Sequence, residues 1–255
     1  MPRLPYNYKA VIAYDGCDYF GYQRQEGLPT IQQTLEESIF EAVGDWTNVF
    51  ASSRTDRGVH ALGQVISFRL SQDISPIGLA YQIQTFLPQS ITIKDCQKAP
   101  GDFFARFASR EKTYAYMIYN AKSQSPIIPR YAWTLWQPKF DVDYANTICK
   151  RFLGTHNFTC FGKVSKESEN KSPICTISHF EAQRQGDYVI FTLTGDHFLH
   201  NMVRRIIGFM YFCCRGAENP ERLDRIFEGE MSIASTFLTP AAGLYLVKVD
   251  YKDII

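Results

Sequence analysis

Asn48-Val49-Phe50-Ala51-Ser52-Ser53-Arg54-Thr55-Asp56-Arg57-Gly58-Val59-His60-Ala61-Leu62-Gly63-Gln64-Val65-Ile66-Ser67-Phe68-Arg69-Leu70 joins two strand-like stretches through a polar, charged run. Asn48 to Ala51 reads as one strand, and Gln64 to Leu70 as the next, with Ile66, Phe68 and Leu70 alternating along one face. Between them Asp56 lies among cations, Arg54 two residues before and Arg57 directly after, and Gly58 lets the backbone turn. Flanking cations favour an ionised carboxylate, so Asp56 is expected to be charged and available as a nucleophile or base. The same pattern also suits an Asx-type turn whose charges simply face water.

Working outward, Tyr8 to Tyr14 is β-branched and aromatic and stops at Asp15-Gly16, which predicts a strand. Thr30 and Gln33 have capping-box spacing, and Ile31, Leu35, Ile39 and Val43 follow on one helical face. Ile77, Ala80, Ile83 and Leu87 mark a second helix that stops at Pro88, and Ile91 to Ile93 reads as a short strand. The order β-α-β-β-α-β is the split, ferredoxin-like arrangement. The second half has a similar order: a strand over Thr113 to Tyr119, a helix over Val142 to Phe152, a strand pair (Ile174 to Phe180, Tyr188 to Leu193), a helix over Phe198 to Cys214 and a strand over Leu244 to Tyr251. The expected fold is α+β, with two ferredoxin-like (RRM-like) halves over residues 1–104 and 105–255. They would form a mainly antiparallel sheet flanked by helices, with a cleft between the halves. Gly162 to Pro173, polar and charged, is expected to be a mobile surface loop.

Composition narrows the classes. The 255 residues are 45% hydrophobic, ample for a packed core. A net charge of +1 does not mark a nucleic-acid binder, so RNA binding would need a local basic surface. The longest apolar runs, such as Ile206 to Phe212, are too short to span a bilayer. No charged-then-apolar leader opens the sequence, and seven cysteines is an odd count, so reduced thiols in the cytoplasm are expected.

Arg54-Thr55-Asp56-Arg57-Gly58-Val59-His60-Ala61 resembles the Arg-Thr-Asp-x-Gly-Val-His-Ala catalytic loop of the tRNA pseudouridine synthase A family. Further blocks resemble the same family: Tyr14-Asp15-Gly16 with Phe20-Gly21-Tyr22-Gln23-Arg24-Gln25, Phe104 to Phe107, Lys112 to Tyr116, Phe198 to Gly208, and Pro240 to Leu246. They occur in the family's order from near residue 8 to residue 251. Departures are Ser52-Ser53 in place of small glycine or alanine, Arg57 where alanine is common, Tyr22 for tryptophan and Lys112 for arginine. None removes a catalytic group that the resemblance implies.

The resemblance implies an isomerase that converts uridine to pseudouridine on the 3′ side of the anticodon stem-loop of tRNA, generally as a homodimer. Asp56 would be the nucleophile, and Arg54 would hold phosphate or fill the stack vacated by a flipped base. Tyr114 would stack beside that base and handle a proton, Arg204 would pair with the catalytic carboxylate, and Phe198 and Leu244 would line the base pocket. From the residues alone, Tyr114 alternates with Tyr116 like core, and His197, His200 and Arg204 form a basic helix face opposite Val203, Ile206, Ile207 and Met210.

The reaction needs no redox cofactor, and no metal is expected. Cys175 and His179 lie four apart in a predicted strand, about 13 Å, too far to chelate one ion, and His156 with Cys160 has no second pair. Neither DNA nor membrane is an expected partner. With so little net charge, RNA-contacting cations are expected from both subunits of the dimer. The competing reading is a non-catalytic tRNA-binding or chaperone protein of the same fold, although no Lys/Arg-Gly-aromatic-Gly-Phe strand motif is present. A hydrolase would need a second carboxylate, for which Asp15, Glu111 and Asp196 are the candidates, Asp196 reading better as a helix N-cap.

Overall fold

A computed structural model describes residues 4–136, 139–162, 172–230, 233 and 237–251. Along the chain run β1 (Tyr6–Tyr14), α1 (Ile31–Val43), β2 (Phe50–Ala51), β3 (His60–Leu70), α2 (Pro76–Phe86), β4 (Ile91–Lys98), α3 (Ala105–Ala108), β5 (Ser109–Tyr119), β6 (Trp133–Thr134), α4 (Val142–Cys149), β7 (Gly154–Asn157), β8 (Ile174–Gln185), β9 (Tyr188–Gly195), α5 (Met202–Cys214), α6 (Leu223–Phe227) and β10 (Leu244–Tyr251). Most of the expected loop from Gly162 to Pro173, residues 163–171, lies outside the described residues. Among those described, no helix is long and apolar enough to cross a membrane.

The first unit is Met1–Arg110 together with Tyr245–Ile255. In its sheet β1 lies between β4 and β3, antiparallel to both. β3 carries two partners on its other edge. β2 pairs antiparallel near its end (Phe50↔Ser67, Ala51↔Ile66), and β10 pairs parallel at its start (Tyr245↔His60, Leu246↔Ala61). The order β4-β1-β3-β2 is the ferredoxin-like one that the sequence order predicts. This unit also takes in the end of the chain, because β10 completes the edge of β3.

Alternation buries Tyr8, Ala10, Ile12 and Tyr14 of β1, while α1 buries Ile31, Leu35 and Ile39 and α2 buries Leu79 and Ile83. Full burial of such a side chain stabilises by about 1.5–3 kcal/mol. The Thr30 side chain accepts the Gln33 N–H at the start of α1, and Gly44 in the left-handed region closes its end on the Phe40 carbonyl. The capping box is only half made, since the Gln33 amide turns forward to Glu37 Oε1 at 2.7 Å. In α2, Ile77 is 75% exposed and Leu79 takes the buried place instead, because apolar residues lie on both faces of that helix.

The second unit is Glu111–Leu244. Its antiparallel sheet runs β5-β9-β8-β7, with β6 added parallel to β5. α4 is capped by Asp141 and tightens into a 3₁₀ turn over Lys150–Phe152. The Phe152 ring meets those of Phe161, Phe180, Phe209 and Phe227 edge-on, an aromatic core with favourable quadrupole geometry. α5 starts at Met202, four residues later than the apolar pattern suggests. Asn201 sits at φ 64° as its N-cap residue, so Phe198, Leu199 and His200 approach the helix without being part of it. Gly208 packs inward, where a Cβ would stand 1.8 Å from the Phe237 carbonyl oxygen.

Candidate active site

The Asp56 loop is secured by buried polar groups that come from the strands on either side of it. Gln64, fully buried on β3, donates to the Ser53 carbonyl at 2.6 Å and accepts the Ser53 N–H at 3.3 Å. Its amide also donates to the Tyr14 hydroxyl, which is 2.8 Å from Thr55 Oγ1. The Thr55 carbonyl accepts the Tyr22 N–H at 3.0 Å. Thr55 is thus held at its side chain and its backbone, which fixes the next residue, Asp56, whose side chain is half-buried. After it the chain turns, with Val59 N–H on the Asp56 carbonyl at 3.1 Å and Gly58 at φ 77°. Burial pushes the Tyr14 phenol up to about 12, so at neutral pH it keeps the proton that these bonds need. Arg54 and Arg57 stand exposed on either side.

Two glycines allow this approach. A Cβ on Gly16 would lie 2.0 Å from the Val59 carbonyl oxygen, and one on Gly21 2.9 Å from that of Thr55. Gly21 also adopts φ 99°, a conformation that side chains disfavour. Pairing Tyr14 with Ala61 brings Asp15 beside His60. His60 Nδ1 accepts the Gly16 N–H and lies 3.2 Å from Asp15 Oδ1, while its ring stacks on Tyr245 at 4.7 Å. Asp15, Cys17 and His60 each bring one potential ligand atom within 4.8 Å of the others. As they stand, these groups bind one another: Asp15 Oδ1 also accepts the Cys17 N–H at 2.9 Å.

In the second unit, Tyr114 is 6% exposed and meets the half-buried Phe198 ring edge-on at 5.1 Å. Gly195 leaves room for that ring, which would come within 3.1 Å of a Cβ there. Arg204 on α5 donates from Nε to the Thr239 carbonyl at 2.7 Å and from Nη1 to Asn201 Oδ1 at 3.2 Å, and Thr239 Oγ1 returns a bond to the Arg204 carbonyl. Tyr116 donates to the Pro240 carbonyl, and burial raises its phenol strongly. Leu244 is buried at the end of this unit.

The expected basic helix face is corrected here. His197 and His200 precede α5, and His197 instead bridges Asp196 Oδ1 at 2.9 Å and the Ser172 carbonyl at 2.9 Å. Asp196 is therefore no N-cap; its carboxylate accepts the Thr176 and His197 N–H groups. Arg54 and Asp56 share one loop of the first unit, and Tyr114, Phe198, Arg204 and Leu244 belong to the second. Gln64 and Thr239 were not singled out by sequence reasoning, and Tyr14 only as part of a matching block, without a role. The signal for Gln64 was a polar residue directly before the apolar pair Val65-Ile66.

Chemically, the first unit presents a carboxylate on a loop held by several hydrogen bonds, flanked by two exposed guanidinium groups. The chain matches the sequence profile of a family described as tRNA pseudouridine synthase over residues 10–108 and 148–252. It is 36% identical over 245 residues to the tRNA pseudouridine synthase A of Acetivibrio thermocellus, covering 96% of this chain and 99% of that protein. The enzyme of the same name from Caldicellulosiruptor bescii is 37% identical over 245 residues, with the same coverage. That from Brachyspira hyodysenteriae is 32% identical over 248 residues, covering 97% of this chain and 99% of that protein.

Proposed function

The chain belongs to the tRNA pseudouridine synthase family, and from that premise we propose that it isomerises uridines on the 3′ side of the anticodon stem-loop of tRNA, with Asp56 as the nucleophile. The bond from ribose to the base nitrogen breaks, the base turns, and a bond from ribose to base carbon replaces it. A proton is lost from that carbon and one is gained at the nitrogen, so no electrons enter or leave. A carboxylate that holds one fragment while the other turns divides this exchange into two easier steps. The fixing of Thr55 by Tyr14 and Tyr22, and of Ser53 by Gln64, supports the assignment, since a nucleophile must be held in near-attack geometry.

Arg54, exposed beside Asp56, suits a phosphate or the gap left by a flipped base. Tyr114, edge-on to Phe198, is the base-stacking group, and such stacking contributes about 1–3 kcal/mol. Phe198 and Leu244 supply apolar lining, and Arg204, anchored on Thr239 and Asn201, supplies the basic charge. The seven cysteines form no disulfide with one another, which supports a cytoplasmic location. The near-neutral net charge supports a homodimer that pools cations from two subunits; sedimentation of a fully active monomer would refute that part.

The test is to incubate wild type and Asp56→Ala with unmodified tRNA and to map pseudouridine at nucleotide resolution. Modification by wild type alone, within the anticodon stem-loop, is the expected result. Equal activity of Asp56→Ala would end the nucleophile assignment, and modification elsewhere would end the substrate assignment.

A further inference from the structure

We propose that Arg57, stacked on Phe20, is a phosphodiester-binding residue that grips the RNA strand next to the reacting nucleotide. This rests on the tRNA reading above and adds a contact to it. The Arg57 guanidinium lies over the Phe20 ring, 4.1 Å from its centroid. That geometry restrains the long side chain and covers one face of the guanidinium, leaving its edge N–H groups to point outward. Arg57 is exposed, and among the described residues no carboxylate lies within ion-pair reach of it.

The platform is joined to the catalytic loop rather than floating near it. Phe20 N–H donates to the Pro29 carbonyl at 2.9 Å, and the next two residues dock on the loop itself. Gly21 comes within 3.2 Å (measured to a Cβ built on it) of the Arg57 nitrogen, and Tyr22 N–H donates to the Thr55 carbonyl. Arg57 is thus held one residue from Asp56 by its side chain, on a segment that docks on the same loop. A flat, preorganised guanidinium whose donors have no acceptor among the described residues matches the paired oxygens of a phosphate, and RNA presents one phosphate per nucleotide. In a chain whose net charge is only +1, two exposed arginines within four residues form a local concentration of positive charge.

The experiment measures equilibrium binding of the full-length protein to an unmodified tRNA transcript across a salt series, alongside the rate of pseudouridine formation. Arg57→Ala should weaken binding about tenfold at low salt and lower the slope of log K against log salt by about 0.7–0.9, the loss of one phosphate contact. The kinetic effect should fall on KM rather than kcat. Phe20→Leu should keep the wild-type slope, because the charge remains, and weaken binding by a smaller factor through the lost stacking. Arg57→Lys should likewise retain the slope while losing the two-pronged contact. An unchanged slope in Arg57→Ala overturns the proposal, whether or not the rate falls. An Arg57-dependent slope in a protein that forms no pseudouridine would uphold this contact and sink the catalytic reading instead.

Discussion

Replacing Gly16 by alanine adds one methyl group at a point where the backbone has no room to give. The new Cβ would stand 2.0 Å from the Val59 carbonyl oxygen and 2.7 Å from its carbon, where ordinary contact begins at 3.4 Å. Both obstacles are backbone, so no side chain can rotate away, and the segments must part by more than 1 Å. Forcing a methyl into a tight contact costs about 1–3 kcal/mol. The displacement passes directly to Asp56, whose carbonyl accepts the Val59 N–H. A misplacement of about 1 Å at a reacting group costs roughly 100-fold in rate. Single-turnover pseudouridine formation with saturating protein should therefore fall about 100-fold in Gly16→Ala, with a drop in Tm corresponding to that stability loss. Gly101→Ala, where nothing lies within 4 Å, should match wild type in both measurements. A Gly16→Ala protein with wild-type rate and wild-type Tm would refute the claim that the Gly16–Val59 contact sets the Asp56 loop and, with it, the proposed nucleophile.

Tyr14, whose phenol is raised from 10.0 to about 12, binds its proton more tightly folded than unfolded. Its contribution is complete below about pH 10 and is lost as pH rises to about 12, at roughly 1.4 kcal/mol per pH unit. Wild type should accordingly lose stability faster than Tyr14→Phe across that window in urea melts, and parallel curves would contradict the assignment. Thr30→Ala should cost α1 about 1 kcal/mol, while Gln33→Ala should cost only a few tenths because its side chain does not return to the cap. Equal losses from the two in chemical denaturation would restore the full capping box.

The sequence made the first unit legible because local signals and long-range pairing agree there. Tyr8 to Tyr14 is β-branched and aromatic and stops at Asp15-Gly16, Thr30 caps α1, and the observed strand order follows from the element order alone. It was less legible where one physical signal masked another. Ile77 and Leu79 are both apolar on a helix with no clear polar face, so periodicity could not choose between them. The apolar run from Phe198 conceals the break at Asn201, a backbone event that side-chain pattern does not encode. In the candidate site, Asp56 and Arg54 were visible as a local motif. Gln64 and Tyr14, which hold the loop, act across 11 and 41 residues of sequence, and only the strand register brings them together.

The parallel pairing of β10 with the start of β3 also orders events during synthesis. Every other strand of the first unit's sheet is made before residue 110, but the partner for His60 and Ala61 is not made until the whole of Glu111–Leu244 has been translated. At about 5–20 residues per second, that is a wait on the order of ten seconds. During it the segment next to the Asp56 loop has an open edge, and the His60 ring lacks the Tyr245 face on which it stacks. A nascent chain can therefore build the frame of the first unit early, yet the segment after its Asp56 loop acquires its final support only as β10 leaves the ribosome.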